Sequence, residues 1–261
     1  MLSARPASAL KTRVMLRSRR AKIEHFHSLF RPGMTVLDVG VTAKDDPSGS
    51  SPKNYLLKTY PYAPETYTGL GVHDLDALQK THPRMRFVRY DGRTMPFADG
   101  EFDWVFSNAV IEHVGDRAAQ LAFLNEMLRV GRFVFFTTPN KHFPIETHTS
   151  VPFLHWNDRL FDKWLWKHKP KWRAKTNLWL LSAADVRELL GRSTAVDYTL
   201  HYNRVLLWPM TITVIASRLG KVPSRAKADR IEPLATAATE AAPAARSVHE
   251  DDGAMTAGRR G

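Results

Sequence analysis

A chain of 261 residues with 43% hydrophobic content can bury one sizeable core, so one principal domain with additions at its ends is expected. The absence of cysteine excludes disulfides, thiolate metal sites and a Cys nucleophile. A formal charge of +12 favours acidic partners such as nucleic acid, anionic lipid or a phosphorylated substrate.

Much of that charge opens the chain, where Arg5, Lys11, Arg13, Arg17, Arg19, Arg20, Lys22 and Arg31 face one acid, Glu24. No apolar run there is long enough for a signal-peptide core, although an Arg-rich, acid-poor start is also what an organellar transit peptide has. Apolar positions continue at helical spacing through Ile23, Phe26 and Phe30, which predicts a basic amphipathic helix over Thr12 to Leu29 covering the edge of a sheet. Arg31-Pro32-Gly33 then turns the chain into Met34 to Gly40, an apolar run of strand length ending in Asp-x-Gly. Such a run suits a parallel strand buried on both faces whose carboxyl end opens towards a ligand; an ordinary buried strand with an end-capping Asp has the same pattern.

Residues 41 to 52 are loop chemistry, followed by a helix from near Pro52 towards Tyr60. Strands are predicted at Tyr67 to Val72, Arg86 to Tyr90, Phe102 to Phe106 and Arg132 to Thr137. A helix capped by Asp116 carries Leu121, Leu124 and Leu128 on one face and stops at Gly131. From Thr138 to Leu181 periodicity is lost in a segment rich in His, Trp, Pro and Lys, which reads as a lid beside the strand ends. Ser182 to Asp185 starts a helix that Gly191 stops, and Val196 to Leu200 with Met210 to Ala216 form a terminal strand pair connected through Asn203, Trp208 and Pro209. Lys221 to Gly261 has a disordered composition, and the uncharged run from Val205 to Ser217 is too short to span a bilayer. Alternating strands and helices imply an α/β fold, a mostly parallel sheet of seven strands with helices on both faces. The expected organisation is a basic N-terminal helix over residues 1–33, a main domain over 34–220 with the insert at 138–181, and a tail over 221–261.

Four strands end in polar residues on one edge: Asp38-Val39-Gly40, His73-Asp74, Asp91-Gly92 and Ser107-Asn108. Acids there can accept from ribose hydroxyls and an exocyclic amine, as a nucleoside-like ligand requires. The loop from Gly40 to Lys44 lacks the glycine spacing that cradles pyrophosphate, and no phosphate-binding G-x-x-x-x-G-K-[ST] occurs, so a nucleoside without phosphates fits better.

Val36-Leu37-Asp38-Val39-Gly40, the stretch from Asp91 to Asp103 with its P-F-x-D-x-x-F-D pattern, and Ser107 to Val114 with I-E-H-V resemble the class I S-adenosylmethionine-dependent methyltransferases, type 11 branch. The likeness covers about Met34 to Thr138. It implies a Rossmann-like fold with S-adenosylmethionine as cofactor, Asp38 and Gly40 against its methionine end, and backbone amides near Val41 meeting its carboxylate. It also implies Asp91 with Gly92 by the adenine amine, and Ser107, Asn108 and Ala109 under the sulfonium. The branch usually ends its second strand in a ribose-binding acid, where Gly71 stands here; Asp74 is the candidate replacement. Thr137 to His148, and on to Trp156, resembles a bacterial subset of the same branch.

Methyl transfer needs a base only when the acceptor arrives protonated. Candidates are His113, His142, His148 and His155, with Glu146-Thr147-His148 favoured because it follows the fifth strand. The spacing of these histidines matches no zinc pattern, so no metal is expected. Between Phe161 and Trp179, four Trp residues interleave with Lys163, Lys167, Lys169, Lys171, Arg173 and Lys175. That mixture suits contact with an anionic lipid surface, stacking on nucleic acid, or a lid packed on the core with its lysines in solvent. The sequence therefore implies a cytoplasmic methyltransferase, peripheral to a membrane through residues 161–179 and the N-terminal helix, acting on a small-molecule, glycan or lipid-linked acceptor. An RNA methyltransferase and a non-catalytic cofactor-binding scaffold are the alternatives; no separate RNA-binding module and no Asn-Pro-Pro-Tyr-type motif after the fourth strand are found.

Overall fold

The strand Val36–Val39 (β1) is buried at every position, as a strand covered on both faces must be. The computed structural model describes residues 6–43, 53–172, 177–224 and Pro233. Six further strands complete one sheet: β2 (Tyr67–Gly71), β3 (Arg86–Arg89), β4 (Phe102–Asn108), β5 (Gly131–Pro139), β6 (Asp197–Val205) and β7 (Trp208–Ser217). Their order is β3-β2-β1-β4-β5-β7-β6. The first five are parallel, and β7 runs antiparallel to both β5 and β6. Strand order reverses between β1 and β4, which opens a crevice at their carboxyl ends.

The period of two along the interior strands sends alternate residues to two cores. On one face Leu37, Val105, Val134 and Val214 pack with Leu124 and Leu128 of α4 (Arg117–Val130) and Val186 and Leu190 of α6 (Ala183–Arg192). On the other, Val36, Trp104, Phe106, Phe135 and Ile215 pack with Ile23, Phe26, Leu29 and Phe30. Ile23 and Phe26 belong to a helix over Pro6–His27 (α1), and the Phe26 ring lies 5.6, 5.0 and 5.4 Å from those of Trp104, Phe106 and Phe135. The basic helix thus lies over a face of the sheet, where β4 and β5 offer aromatic surface, and not along its edge. Two short helices, α2 (Tyr55–Thr59) and α3 (Asp76–Thr81), flank β2.

Three further expectations change. Within the stretch read as aperiodic, Asp158–His168 is a helix (α5), capped by Asn157 and buried through Phe161 and Leu165 at a spacing of four. The terminal strands are longer than predicted, and only Leu206 and Leu207 connect them, because polar residues alternating with apolar ones along β6 pair with β7. Gly191 lies inside α6, which ends at Arg192; the Ser182–Asp185 capping box starts it as expected. The tail lies outside the described residues beyond Ser224, apart from Pro233.

Candidate active site

The turn leaving β1 is built around Gly40. Its φ is +102°, and a Cβ there would stand 2.4 Å from the Val110 side chain, so any other residue would be both strained and obstructed. Gly40 and Val41 both donate their amides to the Leu70 carbonyl, at 2.8 and 3.2 Å. Asn54, itself in the left-handed region, accepts from the Thr42 amide at 3.1 Å and donates to the Thr42 carbonyl at 2.7 Å. The amides near Val41 that the resemblance assigns to a carboxylate are therefore committed within the loop.

The same loop accounts for Gly71. A Cβ on Gly71 would stand 2.4 Å from the Val41 carbonyl oxygen, so the end of β2 has no room for an acid while the first loop follows this path. Asp74, the candidate replacement, lies outside this crevice. It accepts from the Asp76 amide at 2.8 Å and lines a separate cleft with Gln79, Phe87 and Arg89. Asp91 is exposed and accepts from the amides of Arg93 and Thr94, with Gly92 at φ +83° completing the turn. Neither Asp91 nor Gly92 lines the main cavity described below.

Asp38 is buried, and its carboxylate accepts from the Tyr67 hydroxyl at 2.7 Å. Burial pushes its pKa up to about 7, with the Tyr67 hydrogen bond opposing. Beside it a recess of about 50 Å³ is lined by Arg19, Lys22, Asp38, Gly40, Asn54 and Asn108. Burial first, and the Arg19 charge after it, lower the Lys22 pKa to about 8 against the opposing pull of Glu112.

At the end of β4, Ser107 is buried, Asn108 accepts from the Thr137 hydroxyl at 2.8 Å, and Ala109 sits at φ +58°. The following turn, Ile111–His113, carries Glu112 into the interior and leaves His113 half-buried. From the insert after β5, His148 meets His113 with ring centroids 5.1 Å apart, and Trp172 closes over both at 4.9 and 5.9 Å. His148 Nδ1 lies 2.7 Å from Glu146 Oε1. Burial alone would raise the Glu146 carboxyl, but the hydrogen bond and charge of His148, the His148 amide and Thr149 overcome it and hold the pKa down to about 2. An ionised carboxylate only accepts, so His148 Nδ1 carries a proton and donates it to Glu146. His113 Nδ1 lies 2.6 Å from the Asn177 carbonyl and by the same argument donates to it. His155 is buried with Nε2 on the Phe143 carbonyl at 2.9 Å, a structural position.

These elements enclose a cavity of about 770 Å³ whose lining includes Gly40, Asn54, Asn108, Ala109, His113 and His148. Arg19 and Lys22 of α1, with Lys171 and Trp172 of the insert, complete its wall. Its size lies within the range of about 300–1,000 Å³ usual for small-molecule sites. Sequence reasoning found Gly40, Asn108, Ala109, His113 and His148. It did not assign Lys22, Arg19, Asn54 or Trp172 to the site, since their approach depends on how α1 and the insert pack.

A methyltransferase-domain family model matches residues 64–135, the region spanning β2 to β5. Solved structures share the fold. An S-adenosylmethionine-dependent methyltransferase of Methanosarcina mazei is 13% identical, with a TM-score of 0.51, covering 75% of this chain and 97% of its own. One from Thermotoga maritima, described as a possible histamine N-methyltransferase, is 12% identical at a TM-score of 0.50, covering 78% and 91%. A Rhodobacter sphaeroides protein provisionally named for zinc-dependent alcohol dehydrogenases reaches 0.51 at 16% identity, covering 77% and 90%. At such identities the structures speak for the fold alone, which by itself does not name a reaction. Together with the family model, the fold and the crevice define a class I S-adenosylmethionine-dependent methyltransferase. The matched stretch falls within Met34 to Thr138, where the sequence motifs resemble the type 11 branch.

The residues present fit that cofactor in part. Gly40 has no side chain to stand between its turn and the recess, the space for one being taken by Val110, and the recess at Asp38 and Lys22 offers a carboxyl for an amine and an ammonium for a carboxylate. The ribose acid at Gly71 is missing.

Proposed function

We propose that this methyltransferase acts on a hydroxyl of a glycan or lipid-linked acceptor presented at an anionic lipid surface. The observation that carries the reading is that the Glu146–His148 pair and His113 reach the same cavity as Gly40 and Asn108. When bound, S-adenosylmethionine supplies a methyl group already activated on a cationic sulfur. The chain's part is to hold the acceptor oxygen in line, where orientation contributes most. Asp38 would hold the methionine amine, and Lys22 with Arg19 its carboxylate, in place of the committed loop amides. Asn108 and Ala109 would line the floor beneath the methyl, and Ser107 would support them from inside β4. Asp91, Gly92 and Asp74 stand further out and would meet the adenosine end on its exposed side. His148, fixed by Glu146, receives the acceptor's proton on Nε2 in the cation-free protein.

Support for a lipid surface comes from the cavity rim. The hairpin tip exposes Leu206 (91%), Leu207 (85%) and Trp208, immediately before Met210 and Thr211 of the cavity wall. The insert exposes Phe153, Trp156, Leu160 and Trp166 together with Arg159, Lys163, Lys167 and Lys169. Large apolar side chains among cations suit the headgroup layer of an anionic membrane. No helix among the described residues is long and apolar enough to cross a membrane.

The test is calorimetry with S-adenosylmethionine, followed by donor turnover on lipid and glycan fractions, for the parent chain and His148→Ala. The expected result is donor binding within about twofold in both and turnover lower by about 10²–10⁴ in the variant. Equal turnover removes His148 as the proton acceptor, and turnover only on RNA replaces the acceptor class.

A further inference from the structure

Glu112, His113 and His148 each bring one ligand atom to within 4.8 Å of the others. Donors bound to one ion at about 2.0–2.2 Å stand about 3.3–3.6 Å apart in tetrahedral geometry, so side-chain shifts of about 1 Å would bring the three onto one ion. Sequence spacing conceals the cluster, because the fold alone brings residue 148 to residues 112 and 113.

Two independent features point to a cation. Both imidazoles are tied at Nδ1, His113 to the Asn177 carbonyl and His148 to the Glu146 carboxylate. Those are the outer partners that metal-ligating histidines use, and they leave Nε2 as the ring nitrogen that would take the ligand role. Glu112 is 0% exposed; its Oε2 accepts from the Thr138 hydroxyl at 3.1 Å, while its Oε1 has no hydrogen-bond partner among the described residues. A buried carboxylate oxygen left in that state is costly, and a cation would satisfy it. Lys22 is near enough to feel the Glu112 charge, yet no ion pair within 4 Å joins them among the described residues.

We infer that Glu112, His113 and His148 bind one divalent first-row cation, such as Mn²⁺, Co²⁺ or Zn²⁺, with open coordination positions facing the cavity. Two imidazoles and one carboxylate suit such ions better than Mg²⁺ or Ca²⁺. This rests on the hydroxyl-acceptor reading and deepens it. The cation takes the acceptor oxygen as a ligand and makes its proton more acidic. The O–H bond then breaks with the proton passing to water, and the oxygen electron pair forms the new bond to the methyl carbon as the sulfur–carbon bond breaks. With the cation in place, His148 Nε2 is a ligand and no longer the proton acceptor.

The experiment titrates the chelator-treated full chain with Co²⁺ alone, reading visible absorption and heat, with neither donor nor acceptor present. One saturable equivalent is expected, weakened at least about tenfold in Glu112→Gln, His113→Asn and His148→Asn. His148→Asn is the decisive variant if a change at buried Glu112 lowers folding stability. Each variant is checked for a cooperative melt and for S-adenosylmethionine binding. Absence of saturable Co²⁺ binding, or equal binding by folded variants, overturns the site and leaves the donor-binding result standing. Loss of donor binding with Co²⁺ binding intact would instead overturn the methyl-transfer roles.

Discussion

Asp38 carries two opposed demands. It sits in an apolar interior that favours its neutral form, with the Tyr67 hydroxyl as hydrogen-bond donor and Lys22 and Arg19 across the recess. Its folded pKa of about 7 lies above the ordinary 3.8, so the folded state binds the proton more tightly than the unfolded chain. Folding stability from this group is therefore full below about pH 4 and declines as pH rises to about 7. Asp38→Asn keeps an acceptor for Tyr67 and removes the titration. Relative to the parent, the donor-free variant should gain stability between pH 4 and 8, on the order of a few kcal/mol, while losing affinity for S-adenosylmethionine. Denaturant unfolding at the two pH values checks this; a difference independent of pH would show that Asp38 is not the titrating group. Gly71 gives a second residue-scale prediction. Restoring the acid usual for the branch, Gly71→Asp, forces a Cβ against the Val41 carbonyl, so it should cost about 1–3 kcal/mol and weaken donor binding. Tighter donor binding at an unchanged melting temperature would refute that account of the first loop.

Among the elements, the β6–β7 hairpin and α5 were the least legible. A stretch without long apolar runs conceals α5, because only Phe161 and Leu165 are buried while Leu160 and Trp166 are exposed among charged residues. The hairpin's strand ends alternate polar and apolar residues, so their pairing depends on β7 lying against β5. Its exposed Leu206 and Leu207 contribute no core, which makes them a clean test of the surface reading. Leu206→Asp with Leu207→Asp should abolish flotation with anionic vesicles and leave the melting temperature within about 1 °C, since surface changes are usually within about 0.5 kcal/mol. Unchanged flotation would move the contact elsewhere. The capped helices were legible because their signals are local: Asp116 accepts from the Ala119 amide, and Ser182 and Asp185 cap reciprocally.

At the scale of the molecule, α1 belongs to the core and also to the site. Its Phe26 is fully buried among rings of β4 and β5, and its Arg19 and Lys22 reach the cavity one to two turns earlier. A boundary near residue 33 is therefore one of sequence composition, with packing continuous across it. Phe26→Ala should lower stability by about 3–5 kcal/mol within a single cooperative transition. An early, separate transition with the main one unshifted would show α1 to be an independent appendage.

Taken by itself, the sequence determined the strands of the parallel sheet, its polar carboxyl edge and the class of cofactor. Hydrophobic period, Asp-x-Gly and the turn glycines act over a few residues and do not depend on distant partners. Only the tertiary structure decided that the loop amides are occupied, that Val41 excludes an acid at Gly71, and that Lys22, Glu112, His113 and His148 meet around one cavity. Those outcomes join residues as far apart as Lys22 and His148, 126 positions along the chain, and such contacts follow from how two faces of one sheet are covered, which no local pattern encodes.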